Sequence, residues 1–253
     1  MARKLPRAPI TYPSGLNLSQ NGRLPLSDLV RLTAHNGGAD VLLLRPAARA
    51  WLALTSAALE DGHTLKTSHL NSSYRPYADQ ERIFLDRYVP SVFGTKRWNG
   101  KRWRKRFGVP TAAVPGTSNH GLGLAVDTGE ERDGDAGAES IDAETLDWLI
   151  DNAHRFGFSA EIQSEPWHWR YVTGDRVPAE VLAFEARMTP QGGDEMKQVN
   201  DPNRRRLFTV FTTDGTTTVR EHGTYLPDAG EMMPNVSYVI DEQVAKGHIK
   251  KVS

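Results

Sequence analysis

No cysteine occurs anywhere in the 253 residues of this chain. That absence narrows the possible folds sharply. Disulfides cannot staple the chain, so its stability has to come from a buried apolar core. Iron–sulfur clusters, thiolate zinc sites and a cysteine nucleophile are excluded too. Any metal must be held by nitrogen and oxygen. The length is ample for such a core and gives a prior of one to two domains. Apolar residues make up 38% and charged residues 25%, the composition of a folded chain rather than a disordered one.

Thirty-one basic side chains balance 31 acidic ones. A neutral chain is a poor candidate for coating nucleic acid, because such binding runs on phosphate neutralisation. No nucleic-acid partner is expected. The N-terminus, MARKLPRAPITYPSG, is basic, but no apolar run of leader length follows it. Nothing approaches the roughly 20 apolar residues that span a bilayer. The expectation is a soluble chain made in the cytoplasm, without membrane insertion. If its substrate lies outside, something else delivers it.

Hydrophobic period and turn formers place the elements. Residues 1–45 carry Pro, Gly, Asn and Ser and read as an irregular, wrapping arm. Pro46 opens a helix that Gly62 ends, with Ala47, Trp51, Leu54 and Ala58 on one face. Residues 64–70 read as a short strand. Pro76 opens a second helix through Tyr88, with Tyr77, Gln80, Phe84 and Tyr88 near one stripe. Residues 89–119 read as a long loop, and Leu122 to Asp127 as a strand. Ser140 is expected to cap a third helix that Gly157 ends. Phe158 to Ile162 and Trp167 to Val172 read as strands, and Val177 to Met188 as a closing helix. The polar stretch 189–203 reads as a linker. Beyond it, two β-rich runs joined by Asp214-Gly215 predict a hairpin. The domains expected are therefore 1–188, with the arm included, and a small β-rich module over 204–253.

Charge is balanced overall but not locally. Residues 96–106 carry seven basic side chains and no acidic one, whereas 128–151 carry nine acidic side chains and one arginine. The acidic run reads as solvated surface. The basic run interleaves with Trp98 and Trp103. It fits a surface for an anionic polymer, or a flap over a site.

Chemistry concentrates in three segments: Ser72 to Gln80, Pro115 to Asp127 and Ser164 to Tyr171. Two histidines and a carboxylate form a nitrogen/oxygen set suited to a divalent metal, and zinc fits a site with three protein ligands and an open position. His120, Asp127 and His168 supply that set. Residues i and i+3 of an extended strand face opposite ways. Glu165 and His168 can therefore share a site only if Pro166 bends the chain between them. Glu165 is then a second carboxylate near the metal, available for proton transfer. The helical HExxH motif, a GxSxG elbow and a P-loop are all absent. Ser118 near His120 allows a serine nucleophile, but the economical reading keeps that histidine on the metal.

These segments resemble the D-alanyl-D-alanine carboxypeptidases of VanY type, whose patterns are SxYR with a downstream Gln, SxHxxGxAxD and ExWHxxY. All three stand in order here, over roughly residues 45–175. The resemblance implies one zinc ion per active site, bound by His120, Asp127 and His168. It implies Glu165 as the group that moves the proton and Arg75 as the holder of the scissile carbonyl oxygen. Ser118, Gln80, Tyr171 and Trp167 are the substrate-binding candidates. Gln80 also fits a brace for Arg75, and Tyr171 fits packing as well as site lining. The other histidines, His35, His63, His69, His154, His222 and His248, read as structural.

The resemblance also implies an α+β fold, in which a small antiparallel sheet carries the zinc site and helices flank it, as in Hedgehog-type domains. The expected partner is the peptide stem of peptidoglycan. The expected reaction is removal of a terminal D-Ala, or endopeptidase cleavage such as at an L-Ala-D-Glu bond. The Arg- and Trp-rich spacer resembles those of phage cell-wall hydrolases, which suggests an endolysin or virion-associated enzyme. The alternative is a phage tail or wall-binding structural protein with an accessory peptidase domain. Oligomeric state is not legible in the sequence.

Overall fold

Proline and glycine punctuate the first helix as the sequence predicts. The structure, a computed structural model, describes residues 3–32, 39–131, 139–188, 195–201, 206–213, 216–222, 231–232, 240–241, 244 and 249–252. Helix α1 (Arg45–Glu60) carries Pro46 in its first turn, and Gly62 follows its end with φ of +87°. Its buried face includes Ala47, Trp51, Leu54 and Ala58. Full burial of a large apolar side chain is worth about 1.5–3 kcal/mol, so this stripe anchors the main core. Trp51 meets Phe158 edge-on at 5.7 Å, and Phe158 meets Tyr171 in the same way.

The arm wraps the domain but is less irregular than expected. Strand β1 (Leu29–Leu32) pairs antiparallel with β2 (Val41–Leu44), which leads directly into α1. Further forward, the Leu5 backbone exchanges two hydrogen bonds with the Gln163 amide. Gly22 N donates to Gly121 O at 2.7 Å, so the arm also reaches the His120 segment. His35 lies outside the described residues.

Helix α2 (Tyr77–Arg87) buries Gln80 and Phe84. The expected long loop after it is instead a three-stranded sheet of β3 (Tyr88–Pro90), β4 (Lys96–Trp98) and β5 (Lys101–Lys105), with β5 in the centre. Asn99 and Gly100, both at positive φ, turn β4 into β5. An Asn-Gly pair favours such a hairpin turn strongly. Alternation sends Trp98 and Trp103 inward against Phe84. The run is charged because its other positions, Lys96 apart, face water.

The predicted strand over 64–70 does not form. The Lys66 and Thr67 carbonyls accept from Gly129 N and Ala39 N, isolated contacts that build no ladder, and Leu70–Ser72 is a 3-10 turn. Leu122 closes another 3-10 turn, so strand β6 is confined to Ala125–Asp127. Two short strands follow, β7 (Glu130–Glu131) and β8 (Glu139–Ser140). Ser140 therefore does not cap helix α3 (Ala143–Asn152). Asp142 does, accepting from Thr145 N at 2.8 Å. A 3-10 turn continues α3 to Gly157, at φ +82°. Strands β9 (Phe158–Ala160) and β10 (His168–Tyr171) follow, then helix α4 (Ala179–Met188).

A small antiparallel sheet, in the order β6-β10-β9, lies at the centre, with helices around it. The class is α+β. The segment read as a linker contains strand β11 (Glu195–Asp201). It pairs antiparallel with β12 (Arg206–Thr213), which pairs with β13 (Thr216–His222) in the predicted hairpin register. The Asp214-Gly215 turn, the linker residues 189–194 and 202–203, and His248 lie outside the described residues. Short strands β14 (Glu231–Met232) and β15 (Ile249–Val252) complete a five-stranded sheet. No helix among the described residues is long and apolar enough to cross a membrane.

Candidate active site

Register brings two of the three predicted ligands together. In the β6–β10 pair, Asp127 stands opposite His168. His120 comes from the 3-10 turn Asn119–Leu122, whose chain reverses at Gly123 in the left-handed region. The arm holds this turn tightly. A Cβ on Gly121 would lie 2.0 Å from Asn21 Oδ1 and 2.2 Å from Gln80 Nε2, so only glycine fits there.

His120, Asp127 and His168 are all buried, and each offers a ligand atom within 4.8 Å of the others. Among the described residues no other group of histidines and carboxylates could hold a metal ion in this way. The two imidazoles present different nitrogens. His120 Nδ1 donates to Ser73 O at 2.9 Å, which turns Nε2 toward Asp127 Oδ2 at 3.2 Å. His168 turns Nδ1 toward Asp127 Oδ1 at 2.8 Å, and its Nε2 meets Glu161 Oε2 at 3.2 Å. Fixing one ring nitrogen by a hydrogen bond orients the other for a metal. Two imidazoles and one carboxylate, each with a ligand atom near the others, are a donor set that suits zinc once both rings are neutral.

Electrostatics supports this division of labour. Burial alone would raise the Asp127 pKa, but the two histidines outweigh it and hold the carboxyl well below its usual range. Burial lowers the His120 pKa. His168 loses to burial but gains more from hydrogen bonds to Asp127 and Glu161, which push it up to about 9. Burial raises the Glu165 pKa, with the nearby His168 pulling the other way. A carboxyl so raised is better suited to exchanging protons near neutral pH.

The cleft beside this centre has a volume of about 320 Å³. Arg75, Gln80, Ser118, Glu165 and Trp167 line it together with the three ligand candidates. Arg75 Nη2 lies 3.7 Å from Asp127 Oδ2, and its buried Nε has no hydrogen-bond partner among the described residues. Gln80 braces the arginine through its backbone, donating to Arg75 O at 3.0 Å. The same amide accepts from Gly116 N and contacts Asn21. Ser118 O accepts from Asn21 Nδ2 at 2.7 Å.

Tyr171 is the predicted site residue that the structure places elsewhere. It is 1% exposed, packs on Phe158, and donates its hydroxyl to Arg176 O. The cause is strand alternation: β10 turns His168 and Arg170 to one face and Trp169 and Tyr171 to the other. His63 and His69 make hydrogen bonds outside the cleft, to Thr145 and Ser72.

Glu161 was not predicted. It accepts from Arg170 Nη1 at 2.6 Å and from the Asn119 amide, and it orients His168. Its signal was the same alternation. Ser159 stands opposite Arg170, and the next position on that face, Glu161, falls beside His168. Asn21 was missed as well, because its bonds to Ser118 and Gln80 depend on the return of the arm.

Comparison with known proteins identifies the family. The family model described as D-alanyl-D-alanine carboxypeptidase (VanY) matches residues 41–174. A D-alanyl-D-alanine carboxypeptidase of Enterococcus faecalis (strain ATCC 700802 / V583) is 43% identical over 70 residues, 24% of this chain and 24% of that protein. YodJ of Bacillus subtilis (strain 168), a carboxypeptidase by name, is 31% identical over 140 residues, 51% of this chain and 45% of its own length. The chain thus spans less than half the length of either curated relative. Among solved structures, VanYB in complex with D-Alanine-D-Alanine is 27% identical, covering 57% of this chain and 78% of its own, at a TM-score of 0.37. A mutant of the vancomycin resistance D,D-pentapeptidase VanY in complex with Zn(II) is 25% identical, covering 67% of this chain and 86% of its own, at a TM-score of 0.36.

Proposed function

The chain belongs to the VanY family of D-alanyl-D-alanine carboxypeptidases, and on that premise we propose that it is a zinc-dependent peptidase acting on peptidoglycan stem peptides, removing a terminal D-Ala. One observation carries the reading. Three buried ligand atoms, from His120, Asp127 and His168, converge in a cleft also lined by Glu165 and Arg75. When bound there, zinc supplies Lewis acidity toward water and toward the scissile carbonyl.

The chain's own residues do the rest. Glu165 takes the proton from the attacking water on its carboxylate and returns it to the leaving amine. Arg75 donates N–H groups to the carbonyl oxygen as negative charge develops on it. Removing one such donor typically costs about 2.7–4 kcal/mol of barrier. Gln80 and Asn21 keep Arg75 and the Ser118 backbone in register. Ser118 and Trp167 form the wall against which the peptide lies, and Trp167 limits water on that side.

Metal analysis and hydrolysis test the assignment together. Glu165→Ala keeps zinc and loses hydrolysis, whereas His120→Ala loses zinc. Full activity of either variant on stem peptides contradicts it. A cell-wall setting of phage type is the finer part of the proposal, and the resemblance of the 96–106 spacer supports it. The five-stranded C-terminal sheet supports a second reading, a wall-binding module beside the peptidase domain. Removing residues 190–253 should then weaken wall binding and spare hydrolysis of small peptides.

A further inference from the structure

The sheet of β3, β5 and β4 carries charge that the peptidase chemistry does not use. Its inner face is covered, since Trp98 and Trp103 pack there against Phe84. Alternation turns Arg97, Arg102 and Arg104 to the other face, and all three are exposed. Arg97 stands directly opposite Arg102 in the β4–β5 pair. Like charges so placed repel and weaken a sheet. None of the three arginines makes an ion pair among the described residues. No acidic side chain occurs between Asp86 and Asp127 to relieve the repulsion locally.

Large apolar side chains border the same sheet. The turn Ser91–Gly94, closed by a bond from Gly94 N to Ser91 O, carries Val92 and Phe93. This turn joins β3 to β4 across the central strand β5. Gly94 lies so close to β5 that a Cβ there would clash with the Trp103 backbone. Phe107 follows two residues after the end of β5. Val92 and Phe93 are 78% and 85% exposed, and Phe107 is fully exposed. Among the described residues these are the three most exposed large apolar side chains. Single exposed apolar residues need no explanation, but three around one cationic sheet mark an interaction surface.

A surface both cationic and apolar fits an anionic lipid interface, where headgroups meet the cations and the hydrocarbon boundary takes the apolar side chains. A phosphate polymer would use the arginines alone and leave Val92, Phe93 and Phe107 in water. A second copy of the chain would set cations against cations. We propose that this sheet docks the protein on the surface of an anionic phospholipid bilayer. Arg97, Arg102 and Arg104 meet the headgroups, and Val92, Phe93 and Phe107 enter the interface. The contact is peripheral rather than spanning. Lys96 of the same sheet lines the metal cleft, so docking holds the cleft near the lipid. The proposal stands apart from the peptidase reading, because lipid binding is measured without substrate.

The test is sedimentation of the full chain with vesicles, either of phosphatidylcholine alone or of phosphatidylcholine mixed equally with phosphatidylglycerol. Each cation close to an anionic surface strengthens binding about fivefold. The mixed vesicles should therefore bind more than about tenfold tighter, and salt should weaken that binding. Arg102→Gln with Arg104→Gln should weaken it about 25-fold. Phe93→Ser with Phe107→Ser keeps every charge and should weaken it about tenfold. The conservative pairs, Arg102→Lys with Arg104→Lys and Phe93→Leu with Phe107→Leu, should retain most of it. All four side chains are exposed, so the fold does not depend on them. No binding, or equal binding to the two kinds of vesicle, overturns the proposal. So does a serine pair that binds the mixed vesicles as tightly as the parent, which would make the surface a site for polyanions instead.

Discussion

Removing the Glu161 carboxylate tests how the metal centre is held. Glu161 lies between Arg170 at 2.6 Å and His168 at 3.2 Å. The Arg170 side chain is 3% exposed, that of Glu161 14%. Arg170 Nε and Nη2 make no hydrogen bond among the described residues. Glu161→Ala therefore strands a buried cation with no second acceptor. Breaking a buried pair from one side costs about 3–5 kcal/mol, and the partial exposure of Glu161 puts the expected loss near the lower end. The same change frees the His168 ring, and loss of such an outer partner typically weakens metal binding by about 10–100-fold. Urea unfolding of the metal-free protein reads the first effect, and zinc competition against a chelator reads the second. A double variant, Glu161→Met with Arg170→Met, removes both charges. It should recover most of the stability and none of the zinc affinity. If Glu161→Ala unfolds within about 1 kcal/mol of the parent and binds zinc equally well, the proposed support for His168 is wrong.

Two further outcomes follow from the same geometry. Gly121→Ala places a methyl 2.0 Å from Asn21 Oδ1 and 2.2 Å from Gln80 Nε2. Disrupting that buried network should cost about 2–4 kcal/mol, and an unchanged thermal midpoint would contradict it. Zinc uptake should depend on pH with a definite sign. In the metal-free protein His168 is raised to about 9, so it is protonated at neutral pH and must lose that proton to ligate. Affinity should rise by about tenfold per pH unit up to that value, with proton release visible as a buffer-dependent heat of binding. Uptake that is flat between pH 6 and 8 would count against this.

The centre was legible because its residues sit in short, ordered segments. His120, Asp127 and His168 lie on a turn and two paired strands, and β6–β10 register sets Asp127 opposite His168. Helix α1 was legible from Pro46, Gly62 and one apolar stripe. What depended on long-range pairing was not. The basic run read as part of a long loop, a surface for an anionic polymer or a flap, although Asn99-Gly100 marked a hairpin and Trp98 and Trp103 marked its inner face. Lys96 reaches the cleft only because that sheet turns it inward. Asp142 rather than Ser140 caps α3, because Ser140 is taken up in β8. Tyr171 was misplaced although the period-two rule already applied to it: three residues after His168, it had to face the core. Asn21, in the arm, reaches the site across 97 residues to Ser118, and no local pattern announces such a contact.

The central claim is metal-dependent release of a terminal D-alanine. The direct measurement is mass spectrometry of an acylated peptide ending in D-Ala-D-Ala, incubated with zinc-loaded, chelator-stripped and zinc-restored protein. The account predicts one D-alanine released per peptide by the loaded protein, none after stripping, and recovery when zinc returns. An intact peptide with the loaded protein, or release that persists after the metal is removed, would contradict it.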